Sequence, residues 1–110
     1  MNLHLNTNIM NFENDIIDKI EKDFQFESQK AIEILEENIN KENSINHPRI
    51  IRSILYLSNG NIFELKHNIK TAISDWRDVI YFAEYDKNDS SSVSRKVRDF
   101  NLPFNKLDML

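Results

Sequence analysis

The stretch that decides the fold is His47 to Asp86, H-P-R-I-I-R-S-I-L-Y-L-S-N-G-N-I-F-E-L-K-H-N-I-K-T-A-I-S-D-W-R-D-V-I-Y-F-A-E-Y-D. Pro48 belongs in the first turn of a helix, where a missing N–H costs nothing, and His47 before it reads as a cap or a surface residue. Gly60 after Asn59 closes that helix as a left-handed terminator. Between them Ile50, Ile51, Ile54, Leu55 and Leu57 are apolar around most of the circumference, which predicts a helix buried on more than one side at the centre of the core. Its remaining face carries Arg49, Arg52, Ser53 and Tyr56.

Asn61 caps the next helix, with Glu64 completing an asparagine variant of the capping box. From there Ile62, Leu65, Ile69, Ala72 or Ile73, Trp76, Val79 or Ile80, and Ala83 keep one apolar stripe, so Trp76 is expected in the core. One helix of about 24 residues fits this run. Ser74-Asp75 also resembles a cap, so a kink or break there fits as well.

Outward towards the N-terminus, Ile16, Ile20, Phe24, Ala31, Leu35 and Ile39 share one helix face, widened by Ile17, Ile32 and Ile34. Ser28 interrupts the stripe and Phe26 lies off it, so residues 11–40 form one long helix or, preferably, two broken near 25–28. Residues 40–47, N-K-E-N-S-I-N-H, lose the period and read as a polar linker. On the other side, D-K-N-D-S-S-S-V-S-R-K has no period and predicts a flexible serine-rich segment. Val97, Phe100, Leu102, Phe104, Leu107 and Leu110 then supply an apolar tail expected to pack back over the core, with Pro103 barring a regular helix through it. Docking of this tail on a partner is the alternative.

The chain of 110 residues suits one domain and is long enough to bury roughly two thirds of its unfolded surface. With 40% hydrophobic and 29% charged residues it should fold, and one glycine and two prolines argue for helices over a turn-rich sheet protein. The expected architecture is all-α, a single compact domain of four or five helices: a helical body over 1–86 and a flexible basic segment with the apolar tail over 87–110. No cysteine is present, which excludes disulfides, thiolate metal sites and cysteine nucleophiles and suits a reducing cytoplasm. The start reads as no secretory signal, and no apolar stretch approaches membrane-spanning length. A cytoplasmic setting without membrane contact is expected.

Charge is unevenly distributed. Residues 13–42 carry ten acids and four bases, 47–86 five of each, and 87–110 five bases against three acids. An acidic first segment with a weakly basic tail lacks the concentrated basic face that phosphate recognition needs, so no nucleic acid is expected. A DNA-binding regulator fits the helix, Asn59-Gly60 turn and second helix, but not this charge. Glu36, Glu37 and Glu42, near the wrong end of a helix dipole, suggest a docking surface for a basic partner or a solvated face.

Catalytic constellations are absent from the pattern. His4, His47 and His67 have no metal-ligand spacing, the single glycine precludes a phosphate loop, and Ser90, Ser91, Ser92 and Ser94 lack a nucleophile elbow. Pairs such as Asp75 with Asp78, or Glu36 with Glu37, are expected to titrate ordinarily on exposed turns. The best site candidate is D-W-R-D-V-I-Y-F-A-E-Y-D, whose Asp75, Arg77, Asp78, Tyr81, Glu84 and Tyr85 lie on the polar arc of a core-forming helix. Tryptophan, tyrosine and arginine dominate binding hot spots because they combine large area with a polar handle. The structural alternative is that Arg77 merely pairs with Asp78, Glu84 or an acid of the first segment.

The block R-I-I-R-S-I-L-Y-L-S-N-G-N-I-F-E-L-K-H-N-I together with D-W-R-D-V-I-Y-F-A-E-Y-D resembles a group of small bacterial helical proteins sharing a D-W-R-D-V-I…A-E-Y-like block and without an established activity. The resemblance covers a little over a third of the chain and implies no catalytic residue. The function expected is to bind another protein, as a small acidic inhibitor, antitoxin or immunity-type protein, with no cofactor or metal and with self-association left open. The alternative is a small enzyme or ligand- or metal-binding domain with a pocket near His67, Asp75, Arg77 and Asp78.

Overall fold

The computed structural model describes residues 12–86 and 95–109. The flexibility expected of the serine-rich segment falls mostly on residues 87–94, which lie outside this description, as do His4 and Leu110, while its ends, Asp86, Arg95 and Lys96, are strand residues. The central element is helix α3, and its boundaries follow from local chemistry. It spans Pro48–Ser58, with proline in the first turn and the His47 Nδ1 accepting the Arg49 N–H at 3.2 Å. It ends where Asn59 (φ 49°) and Gly60 (φ 77°) turn left-handed. Asn61 then caps α4, Ile62–Ser74, by accepting the Glu64 N–H at 2.8 Å.

The stripe breaks at Asp75. Its extended backbone (φ −160°, ψ 100°) ends α4, and its carboxylate accepts the Arg77 N–H to start α5, Trp76–Glu84. Val79, Ile80 and Ala83 of the new helix turn inward, whereas Trp76, which shares their arc by spacing but is the first residue of the helix, is 43% exposed. Trp76 is therefore not a core residue.

The first segment forms two helices, α1 over Asn14–Phe24 and α2 over Ser28–Lys41, separated by a 3-10 turn at Gln25–Glu27. Gln25 is left-handed (φ 52°), and the Ser28 hydroxyl donates to the Gln25 and Ile20 carbonyls, tying the turn to the end of α1. Phe26 at the turn's centre is 94% exposed. Gly60 packs directly on this end of α1: a Cβ there would stand 2.3 Å from the Asp23 carbonyl oxygen. Glycine is required by both the positive φ and the close approach.

The polar linker is shorter than its composition suggests. Helix α2 continues to Lys41, and a 3-10 turn at Asn43–Ile45 buries Ile45 completely. That isoleucine joins a core formed by Ile16, Ile20 and Phe24 of α1, Leu35 and Ile39 of α2, and the apolar faces of α3 to α5. Helix α3 packs most widely on α4 and α5. Leu55 at its centre is fully buried, worth about 1.5–3 kcal/mol in transfer free energy.

The chain returns over this body. Two-residue strands β1, Tyr85–Asp86, and β2, Arg95–Lys96, pair antiparallel with Tyr85 opposite Lys96. Residues 95–106 then form a strap across the body, and Phe104–Met109 ends it in a 3-10 helix. Phe100 of the strap is fully buried and Phe104 packs against the core, so the apolar tail does fold back. It also meets Arg52, a buried residue on the polar side of α3, which donates to the Phe100 carbonyl.

Candidate functional site

Asp75 and Arg77 are positioned by the capping turn that separates α4 from α5. Besides its cap bond, the Asp75 carboxylate accepts the Arg77 Nε at 3.0 Å and Nη2 at 3.3 Å. The arginine thus pairs with an acid two residues before it, not with Asp78, Glu84 or the first segment. The Arg77 side chain and backbone N–H hold the Asp75 carboxyl below its ordinary range, and the Asp75 carboxylate raises the guanidinium in turn. Both groups face water, so the pairing orients the guanidinium and adds little stability.

One turn further along, Tyr81 stacks on Tyr85 with ring centroids 5.1 Å apart and meets Phe82 edge-on at 6.0 Å. Asp78, Tyr81 and Phe82 are exposed, and Tyr85 is half-buried where β1 begins. Glu84 differs from the other five candidates. Its side chain is fully buried, because the strap covers the arc on which helical spacing places it. It is removed from the outer face and belongs to the interior. His67 lies two turns before Asp75, about 12 Å along the helix axis. Neither His67 nor Asp75, Arg77 and Asp78 lines either of the two clefts beside Tyr56. Among the described residues no group of three or more histidine, aspartate or glutamate side chains is placed to hold a metal ion.

Sequence reasoning missed the charged interior beside this face. Arg49 donates to Glu84 through Nε at 2.9 Å and Nη2 at 2.7 Å, and the Phe100 N–H donates to the same carboxylate at 2.8 Å. Hydrogen bonding to Glu84, opposed by burial, raises the Arg49 guanidinium further above its ordinary value. Arg52 is a second centre: it donates to Asp15 at 2.9 and 3.1 Å, to Glu13 at 2.6 Å and to the Phe100 carbonyl at 3.0 Å. Burial opposes its charge, but the two acids outweigh that penalty and raise it. Asp15 also accepts the Phe104 N–H at 3.0 Å. Against the opposing effect of burial, Arg52 and that N–H hold its carboxyl below the ordinary range.

Tyr56 lines two clefts. One, about 620 Å³, lies between α1 and the strap and is bordered by Asp18, Lys19, Lys22 and Phe104. The other, about 470 Å³, is lined by Phe82, Tyr85, Asp86, Val97 and Arg98. The second continues the aromatic face of α5. Arg98 closes its floor, with its guanidinium carbon 4.4 Å from the Tyr56 ring centre and Nη1 donating to the Ala83 carbonyl at 2.9 Å. On α2, burial and the nearby Glu33 raise the Glu36 carboxyl above its ordinary value. The ordinary titration expected of these carboxylates therefore fails at Glu36 and at Asp75, which shift in opposite directions.

Compared with models of known protein families, with characterised proteins and with solved structures, the chain shows no match. Among the described residues no helix is long and apolar enough to cross a membrane.

Proposed function

We propose that the chain is a small bacterial, cytoplasmic protein-binding domain of the inhibitor, antitoxin or immunity type, and that the outer face of α5 is its contact surface. One observation carries this reading. The inner face of α5 is buried through Val79, Ile80 and Ala83, yet Tyr81 and Phe82 on its outer side are exposed beside the oriented Arg77, as is Trp76 at its first residue. Exposed aromatic side chains around an arginine match the composition of binding hot spots, where rigid rings give large area at small entropic cost. The acidic first segment adds a field that favours a basic partner.

The partner is to be captured from the native host and identified by mass spectrometry, and its affinity then measured for wild type and for Arg77→Ala/Tyr81→Ala. The expected result is a loss of about 2 kcal/mol or more in binding with cooperative unfolding retained. Unchanged affinity per folded molecule would refute the assignment of this face.

A further inference from the structure

The strap is held to the body in an unusual way. The Asp99 carbonyl accepts the Leu102 N–H at 3.0 Å, and the Asp99 carboxylate accepts the Asn101 N–H at 3.0 Å, so Asp99–Leu102 is a turn closed by its own first residue. Such a turn uses the carbonyl of its first residue and the N–H of its fourth, leaving the N–H and carbonyl of the second without partners. Here the second residue is Phe100. Its N–H is taken by Glu84 and its carbonyl by Arg52, each side chain almost wholly buried and each fixed by a further ion pair.

The rest of the grip follows the same plan. The Phe100 ring is buried against Tyr56 at 5.4 Å and meets Phe104 at 5.5 Å. The Phe104 N–H is taken by Asp15. Two part-buried ion pairs, each with one member almost wholly buried, are a costly means of packing a tail, because apolar groups of equal volume hold segments without desolvating charge. Both terminate on the main chain of one turn residue. That is the arrangement of a site that reads a backbone shape and then an aromatic ring.

We infer that this groove is a peptide-recognition site for a turn with an aromatic second residue and another aromatic four residues on, and that the chain's own strap occupies it as a tethered competitor. The partner is a protein segment of that chemistry, which enters by displacing residues 95–106. The site is separate from the outer face of α5 and stands or falls independently of it. A turn closed by its own side chain is preorganised, so an incoming copy loses little entropy on binding. The strap's advantage is its tether, which supplies an effective concentration on the order of millimolar.

The test uses the full chain carrying Phe100→Ala, which weakens the resident strap, and a fluorescent peptide with the sequence of residues 95–106. Anisotropy should show saturable binding to the variant, roughly tenfold or more tighter than to wild type, where the intact strap competes. The same peptide methylated on the Phe100 amide should fail to bind. Methylation removes the hydrogen given to Glu84 but none used by the turn. If Phe100→Ala lacks a cooperative melt, Phe104→Ala, which removes a half-buried ring, replaces it. Absence of saturable binding to a folded variant at about 1 mM peptide, equal affinity for wild type, or equal binding of the methylated peptide would each overturn the inference. A strap-exchanged dimer that admits no free peptide would overturn it too.

Discussion

Removing the Glu84 carboxylate is the sharpest perturbation of the interior. In Glu84→Ala the Phe100 N–H, bonded at 2.8 Å, loses its acceptor in a site closed to water, a cost of about 1–3 kcal/mol. Arg49 loses both of its bonds to that carboxylate, at 2.9 and 2.7 Å. Breaking a buried pair from one side costs about 3–5 kcal/mol. The Arg49 side chain is 27% exposed and can turn to water, which favours the lower end, about 3 kcal/mol for the whole change. Replacing both Arg49 and Glu84 with methionine relieves the stranded arginine but not the Phe100 N–H. The double variant should therefore lose less than Glu84→Ala without regaining wild-type stability. Urea unfolding at neutral pH measures both, with Asp78→Ala on the exposed side as a control expected within about 0.5 kcal/mol of wild type. A loss below about 1 kcal/mol for Glu84→Ala, the worth of an exposed ion pair, would refute the interior role.

Acid should weaken the fold partly through Asp15. Because its folded-state pKa is lowered from 3.8, its contribution is complete above that value and is lost as pH falls through the lower one. Asp15→Asn should flatten the acid limb of a plot of stability against pH, and an unchanged limb would count against the Arg52–Asp15 pairing. Glu36 has the opposite sign: its raised pKa means that burial disfavours the charged form, so Glu36→Gln should raise the melting temperature at neutral pH and converge on wild type in acid. Equal melting temperatures at neutral pH would contradict this. Gly60→Ala meets both the positive φ and the Asp23 carbonyl at 2.3 Å, and thermal melts should show a loss of about 1–3 kcal/mol or more.

Signals confined to a few neighbouring residues were legible in the sequence. Pro48, the Asn59-Gly60 pair, Asn61 and Asp75 each set a helix boundary through bonds within four residues, and the break near Ser28 showed as a missing apolar position. What depended on distant segments was not legible. Asp15 and Arg52 are 37 residues apart and Arg49 and Glu84 are 35 apart, and no spacing rule pairs such groups. Glu84 sits on a polar arc by helical period, and only the returning strap makes that arc interior. Trp76 keeps the spacing of the inner arc, and its 43% exposure goes with its place at the end of α5, which period alone does not show. The outer face of α5 was readable as a cluster of types, but its reduction to Asp75, Arg77, Asp78, Tyr81 and Tyr85 required the fold.

The most direct test of the proposed contact surface places a photoreactive benzophenone amino acid at Arg77, whose side chain is 73% exposed, and irradiates the native host expressing the protein. Gln29, exposed on α2, serves as the comparison position. The account predicts one discrete protein adduct from position 77 that is absent from position 29 and is suppressed when Tyr81→Ala is added. No adduct at position 77, or the same adducts from both positions, would contradict it.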